Sequence, residues 1–401
     1  IVLSESSTLK SGVEWQSYRL DDWWPASPGD DARCQVGVPN HMTCGMAPLA
    51  FQNINNGKRD RYALFTDWDK QWGSRWSTLI GARLEYVRTD AGDVHGYNTE
   101  TPAYADAAAQ FNAKDRKKSD VNIDLTLLAR YKPNDNAQIE FGIARKTRSP
   151  NLYERYSWST HSMALEMNNL LGDGNGYLGN VDLKPEKAHT VSATFAWHND
   201  AQTRQIKLTP YYTYVQDFID AKRLASSANA VGQFVHLQYA NVDAQLYGID
   251  LSASALLYRS ARFGDLTGSV LLNYVRGKNK DSGDGLYNIM PFNTTLTLSH
   301  ALKGWRTDLE WQLVSAKTRT SAVRNETQTP GYGLVNVRTS YTWKNLTINA
   351  GIENLLNQHY VLPLGGAYVG QGMTMSFNGM PHGTGVAGAA RSFYVGLKYQ
   401  F

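Results

Sequence analysis

The chain of 401 residues carries a formal charge of +4, with 42% hydrophobic, 19% charged and 11% aromatic residues. That charge is small and dispersed, with no basic run of the kind that tracks phosphates, which argues against nucleic acid as a partner. No stretch approaches ~18 consecutive apolar residues, so a transmembrane helix is excluded. A mean hydropathy of −0.44 with 23 Tyr and 11 Trp still fits membrane strands, because only alternate strand residues face lipid.

The chain opens at Ile1 with neither an initiator Met nor a cationic-then-apolar leader, and the expectation is the later part of a longer polypeptide. Period-two patterning then runs along its length. Val121, Ile123, Leu125 and Leu127 interleave with Asn122, Asp124 and Thr126. Val191, Ala193, Phe195 and Trp197 alternate with Ser192 and Thr194, and Ile206, Leu208, Tyr212 and Tyr214 with Lys207, Thr209 and Thr213. The pattern returns at Leu266, Val270, Leu272 and Tyr274, at Val335, Val337, Tyr341 and Trp343, and at Leu346, Ile348, Ala350 and Ile352. It closes on Val395, Leu397, Tyr399 and Phe401, expected to face outward. About ten alternating residues with aromatics near the ends are what a lipid-facing band between aromatic girdles requires.

Fourteen strands are predicted, beginning near residues 7, 59, 75, 119, 137, 186, 204, 236, 264, 288, 305, 332, 345 and 390. Short connections fall at 70–75, 132–137, 199–203, 258–263, 302–305 and 343–345. Long ones fall near 21–58, 93–117, 157–184, 224–234, 277–287, 320–331 and 362–389. Short turns on one side and long loops on the other reproduce the periplasmic and extracellular asymmetry of an outer-membrane barrel. A soluble β-sandwich would scatter its loop lengths and would need a second layer over so many outward aromatics. Arg83, Glu85, Arg145 and Lys207 are expected on the inward, polar face. Trp23 and Trp24 read as interface anchors.

Three segments resemble TonB-dependent outer-membrane receptors. One is Phe141-Gly-Ile-Ala-Arg-Lys-Thr-Arg-Ser-Pro-Asn-Leu-Tyr-Glu-Arg-Tyr156, which leads into a long loop. That loop ends in Gly179-Asn-Val-Asp-Leu-Lys-Pro-Glu-Lys187. The third is Gly351-Ile-Glu-Asn-Leu-Leu-Asn-Gln-His-Tyr360, followed by a long final loop and the aromatic C-terminus. The resemblance implies an all-β, antiparallel transmembrane barrel in the bacterial outer membrane, set in lipid and lipopolysaccharide. It further implies that residues 1–401 are the C-terminal part, the last fourteen of 22 strands. The lumenal plug and the TonB-contacting segment would then lie outside this chain. A complete 14-stranded passive channel is the rival reading.

No nucleophile elbow, phosphate loop or Cys-x-x-Cys pair appears, so no enzyme is expected. All eight methionines lie in long loops or at a loop mouth: Met42, Met46, Met163, Met167, Met290, Met373, Met375 and Met380. Histidines accompany three of them, His41 beside Met42, His161 before Met163 and His382 after Met380. Thioether with imidazole suits copper, particularly Cu(I), and few carboxylates lie nearby for a harder cation. Met also fills irregular gaps where loops fold over one another. The segment 148–186 is similar to the outer-membrane copper receptors within the TonB-dependent family, in which soft ligands are thought to come from both plug and barrel loop.

The expected metal ligands are therefore His41, Met42 and Met46, with His161, Met163 and Met167; Met373, Met375, Met380 and His382 form a possible entry path. An iron-siderophore receptor is the alternative, carried by Tyr97, Tyr104, Tyr156 and Trp158. Cys34 and Cys44, the only two cysteines, lie in one loop in an oxidising compartment. They are expected to form a disulfide that removes on the order of 3 kcal/mol of loop entropy. Otherwise Cys44 is a thiolate ligand beside His41 and Met46.

Overall fold

The computed structural model describes residues 2–25, 49–368 and 382–400. It contains sixteen strands: β1 (Val2–Ser4), β2 (Ser7–Trp24), β3 (Phe51–Trp72), β4 (Trp76–Asp90), β5 (Lys118–Asn134), β6 (Ala137–Arg148), β7 (Gly176–Leu178) and β8 (Glu186–His198). Then follow β9 (Arg204–Arg223), β10 (His236–Ser260), β11 (Gly264–Asn279), β12 (Asn293–Leu302), β13 (Trp305–Val314), β14 (Tyr332–Trp343), β15 (Leu346–Glu353) and β16 (Ser392–Tyr399). Among the described residues three α-helices interrupt the loops, α1 (Pro102–Asn112), α2 (Leu152–Tyr156) and α3 (Ser162–Met167), with a single 3-10 turn at Ala225–Ser227. Among the described residues no helix is long and apolar enough to cross a membrane.

Neighbours in sequence are neighbours in space. The sheet runs antiparallel from β1 to β16, except that the three-residue β7 leaves the path and pairs parallel with β10. Apart from the short β1 and β7, the strands are the fourteen expected. β3 starts earlier than its pattern suggested, at Phe51, and β12 later, at Asn293. Both differences have one cause. Beyond the lipid-facing band a strand no longer alternates polar with apolar, so its end has no period to read. The two-residue turns carry Lys303 and Lys344 at φ 55° and 52°, a left-handed conformation that suits a tight hairpin.

Register puts like with like. Val13 pairs with Leu64, Leu64 with Leu84 and Leu84 with Ile123. Leu298 pairs with Leu309, and Leu309 with Val337. These side chains belong to the open, apolar face, as do Val395, Leu397 and Tyr399, which are 76%, 72% and 58% exposed. Phe401 lies outside the described residues.

The opposite face is polar and cross-linked. Arg61 and Arg83 reach Glu85 at 2.5 and 3.1 Å, Arg83 also reaches Glu14 at 3.0 Å, and Arg338 bridges Glu310 and Glu353. Arg145 departs from the expectation. It pairs with Leu125 and shares the face of Phe141 and Ile143, so it points outward, where its guanidinium donates to the Ile123 carbonyl at 2.9 Å. At the loop end of β6 a long cationic side chain reaches polar surroundings from the apolar face, which the strict alternation rule ignores.

The tightly packed core sits under the long loops rather than across the strands. Phe51, Ile54, Val94, Tyr104, Phe111, Leu152, Tyr156 and Trp158 form its largest cluster.

Candidate functional site

The 149–185 loop is anchored to the strand ends by a dense set of buried bonds. Asn151 caps α2: its side chain accepts from the Glu154 N–H at 2.8 Å while Glu154 accepts from the Asn151 N–H at 2.7 Å. Glu154 also receives Arg148, whose other nitrogens hold Glu186 across the loop's base. Arg155, 2% exposed, donates to both Asp120 oxygens at 2.9 Å, to Thr89 at 2.7 Å and to the Leu183 carbonyl at 3.1 Å. Tyr156 donates its hydroxyl hydrogen to the Arg116 carbonyl or to Thr89. At Gly179 the N–H bonds the Ser157 carbonyl at 2.7 Å, and a Cβ there would stand 2.7–3.0 Å from backbone atoms of residues 155–157. The quoted Arg148–Tyr156 and Gly179–Lys187 motifs are thus the two ends of one knot. They carry architecture, not ligand choice.

Above the knot lies α3. His161 occupies its N-cap position without making a cap bond, and Met163 and Met167, half-exposed, stand one turn apart on a shared face. The His161 ring lies 4.6 Å from the Tyr104 ring, between centroids. Its Nδ1 and the Tyr104 hydroxyl are both buried, with no hydrogen-bond partner among the described residues. Burial lowers the His161 pKa, Glu166 opposing the shift, and burial pushes the Tyr104 hydroxyl up to about 12. Both groups are therefore held neutral, and a neutral imidazole is the metal-binding form. Glu166 itself turns to His236 at 3.4 Å. At the other end of α3, Asn168 accepts from the fully buried Asn53 at 2.7 Å.

His382 lies apart from α3. Its Nε2 is 3.1 Å from the Asn325 carbonyl and its ring meets Phe234 edge-on at 5.2 Å. His41, Met42, Met46, Met373, Met375 and Met380, with Cys34 and Cys44, lie outside the described residues. Among the described residues no three His, Cys, Asp or Glu side chains gather as a metal site, so a metal on α3 would depend on thioether sulfur.

The aromatic side chains are committed to packing. Phe51 stacks between Trp24 and Trp158 at 4.4 and 5.2 Å, and Trp158, Tyr156 and Tyr104 are 4%, 0% and 2% exposed. Trp24, at the strand end, is partly buried and packs against this core, while Trp23 is 54% exposed. Sequence reasoning missed α1, though Pro102 in the first turn of an Ala-rich run signals such a helix. It also missed the buried Arg324, which bonds Asp220 and Tyr177 and so ties the 315–331 loop to 149–185. Nothing in the local pattern marks a guanidinium whose partners lie on other loops.

A sheet of sequential antiparallel strands, apolar outside and polar within, with packed loops at one end only, defines an outer-membrane β-barrel wall. The chain belongs to the TonB dependent receptor-like, beta-barrel family, whose match covers residues 3–355. Members of this family are transporters, not enzymes, and lie in the outer membrane.

Over 238 residues, 53% of this chain and 32% of the relative, it is 29% identical to a heme/hemopexin utilization protein C of Haemophilus influenzae. Among solved structures it is similar to the copper transporter OprC (TM-score 0.72, 18% identity, covering 99% of this chain and 54% of the other). It is also similar to the FrpB iron transporter of Neisseria meningitidis (TM-score 0.62, 15% identity, covering 100% and 53%). The chain therefore spans about half the length of these transporters.

Proposed function

We propose that this chain is the barrel wall and extracellular loop set of a TonB-dependent receptor that captures copper on the 149–185 loop. The strands preceding β1, the lumenal plug and the TonB-contacting segment would complete a 22-stranded importer. One observation carries the copper reading: the buried, neutral His161 nitrogen, without a partner among the described residues, stands at the head of a helix that shows two thioethers on one face. Neutral imidazole with thioether sulfur is a soft donor set that suits Cu(I). Met373, Met375, Met380 and His382 would offer weaker sites along the entry path, and the His41, Met42 and Met46 group a second docking point.

Heme is the second reading, favoured by the name of the H. influenzae relative. His and Met are also heme ligands. An iron-siderophore is the third reading: Tyr97 is half-buried at the edge of the loop core, while Tyr104, Tyr156 and Trp158 are packed away.

Titration of the full-length receptor with Cu(I), Cu(II) and heme separates these. Copper binding that falls at least tenfold when His161, Met163 and Met167 are replaced together by Ala, Leu and Leu, with melting unchanged, supports the proposal. Tight heme binding with no copper uptake would replace it by the second reading.

A further inference from the structure

We propose that the extracellular end of β11 holds the phosphorylated headgroup of an outer-leaflet glycolipid, through Arg276 and Arg319 on either side of a notch in the barrel wall. The inference rests on the membrane-barrel assignment and is independent of the cargo.

The β11–β12 ladder ends at the Asn273–Asn293 pair, yet β11 continues to Asn279. Above that pair the wall opens into a cavity of about 250 Å³. Its apolar lining includes Tyr274, Met290 and Phe292, and its cations are Arg276, Arg319 and Lys317. Lys317 is spent: it is buried against Glu326 at 2.5 Å. Arg276 and Arg319 form no ion pair among the described residues.

Register fixes which way Arg276 points. It pairs with Tyr247, which pairs with Tyr212, and lies two residues beyond Tyr274 on the face that continues down Leu272 and Val270 into the lipid-facing band. At about 3.3 Å per strand residue its backbone lies roughly 7 Å further along the strand than that of Tyr274, towards the extracellular end. Lys278 extends the same row, since alternate strand residues share a face, and Lys280 follows in the turn just past the strand end. Lys280 Nζ lies 5.4 Å from the centre of the outward Tyr214 ring.

Two of the carboxylates near this row, Asp243 and Asp217, are engaged elsewhere. Asp243 accepts from the Tyr214 hydroxyl at 2.5 Å and the Asp217 N–H at 3.2 Å, and Asp217 holds Lys187 at 3.2 Å. Asp281 is exposed beside Lys280. What remains is a cationic comb over an apolar wall, open towards the bilayer. A phosphate fits the guanidinium forks bidentately, and an acyl chain leaving it would run down the outward side chains of β11.

Full-length receptor in a neutral maltoside micelle is titrated with hexa-acylated, bis-phosphorylated lipid A and with its dephosphorylated form, bound lipid being read by native mass spectrometry. Wild type should prefer the phosphorylated lipid at least tenfold, and added NaCl should weaken that preference. Arg276→Gln with Arg319→Gln should remove the preference. Arg276→Lys should give an intermediate value, and Lys303→Gln at the opposite end none of the loss. The heat-modifiable gel shift shows that each variant keeps its fold; were the double variant unfolded, Arg276→Lys and Lys280→Gln carry the test alone. Equal binding of the dephosphorylated lipid, or a folded double variant that binds as wild type does, overturns the proposal. Competition by inorganic phosphate at the same concentration as lipid would make this a free-anion site and overturn the lipid assignment.

Discussion

His161 combines two properties that rarely meet on a loop: an imidazole nitrogen shielded from water and, among the described residues, no group bonded to it. Desolvation disfavours its charged form, and the carboxylate of Glu166 only partly offsets this. The folded pKa therefore lies below the ordinary ~6.5, and protons compete with a metal at this nitrogen only once the pH falls through that lower value. Copper affinity of the wild-type receptor, relative to a His161→Ala variant, should stay flat as pH is lowered through 6.5. It should then decline by up to tenfold per unit below the shifted pKa. A difference that already decays with a midpoint at 6.5 would describe a solvated side chain, and would remove His161 from the ligand set. The pairing of His161 with Met163 was legible as a two-residue spacing. Its burial against Tyr104 was not, because Tyr104 comes from a different loop, on a helix the strand periodicity concealed.

At the scale of the element, the loops behave as packed structures fastened to the strand ends. α2 has five residues, too few to be stable alone, and is held by its capping box and by Arg155. That guanidinium and Asp120 are buried together, 2% and 9% exposed, so removing one partner leaves the other charged and uncompensated. Arg155→Met should therefore cost about 3 kcal/mol, the low end for a broken buried pair, and the loss should be local. Limited proteolysis should then cut within 149–185 while the boiled and unboiled gel positions remain those of wild type. Resistance equal to wild type would mean that Glu154 with Arg148, and the close backbone contact at Gly179, hold the loop without Arg155. Strands were readable here because a band facing lipid on one side and water on the other enforces period two over about ten residues. Short helices and β7 were not, since no such solvent boundary crosses a loop.

Across the whole molecule the same asymmetry becomes a claim about where lipid lies. Leu298 sits mid-strand on β12, opposite Gly268 and Leu309, whereas its neighbour Thr297 faces Ser269 and Glu310. The two positions differ by one residue along the chain and by the entire wall across it, and a register slip of one would exchange them. Leu298→Lys places an ammonium in the apolar band, at a cost of roughly 2–4 kcal/mol near the midplane. Thr297→Lys places the same group in the polar interior opposite Glu310, where a salt bridge of modest value offsets its ordering. Reversible unfolding of the full-length receptor in phosphatidylcholine vesicles should thus show a large loss for Leu298→Lys and little change for Thr297→Lys. Equal losses would place lipid against neither face alone. The reversed order would turn the barrel inside out, putting Val395, Leu397 and Tyr399 in the lumen and Arg276 with Arg319 out of reach of any outer-leaflet headgroup.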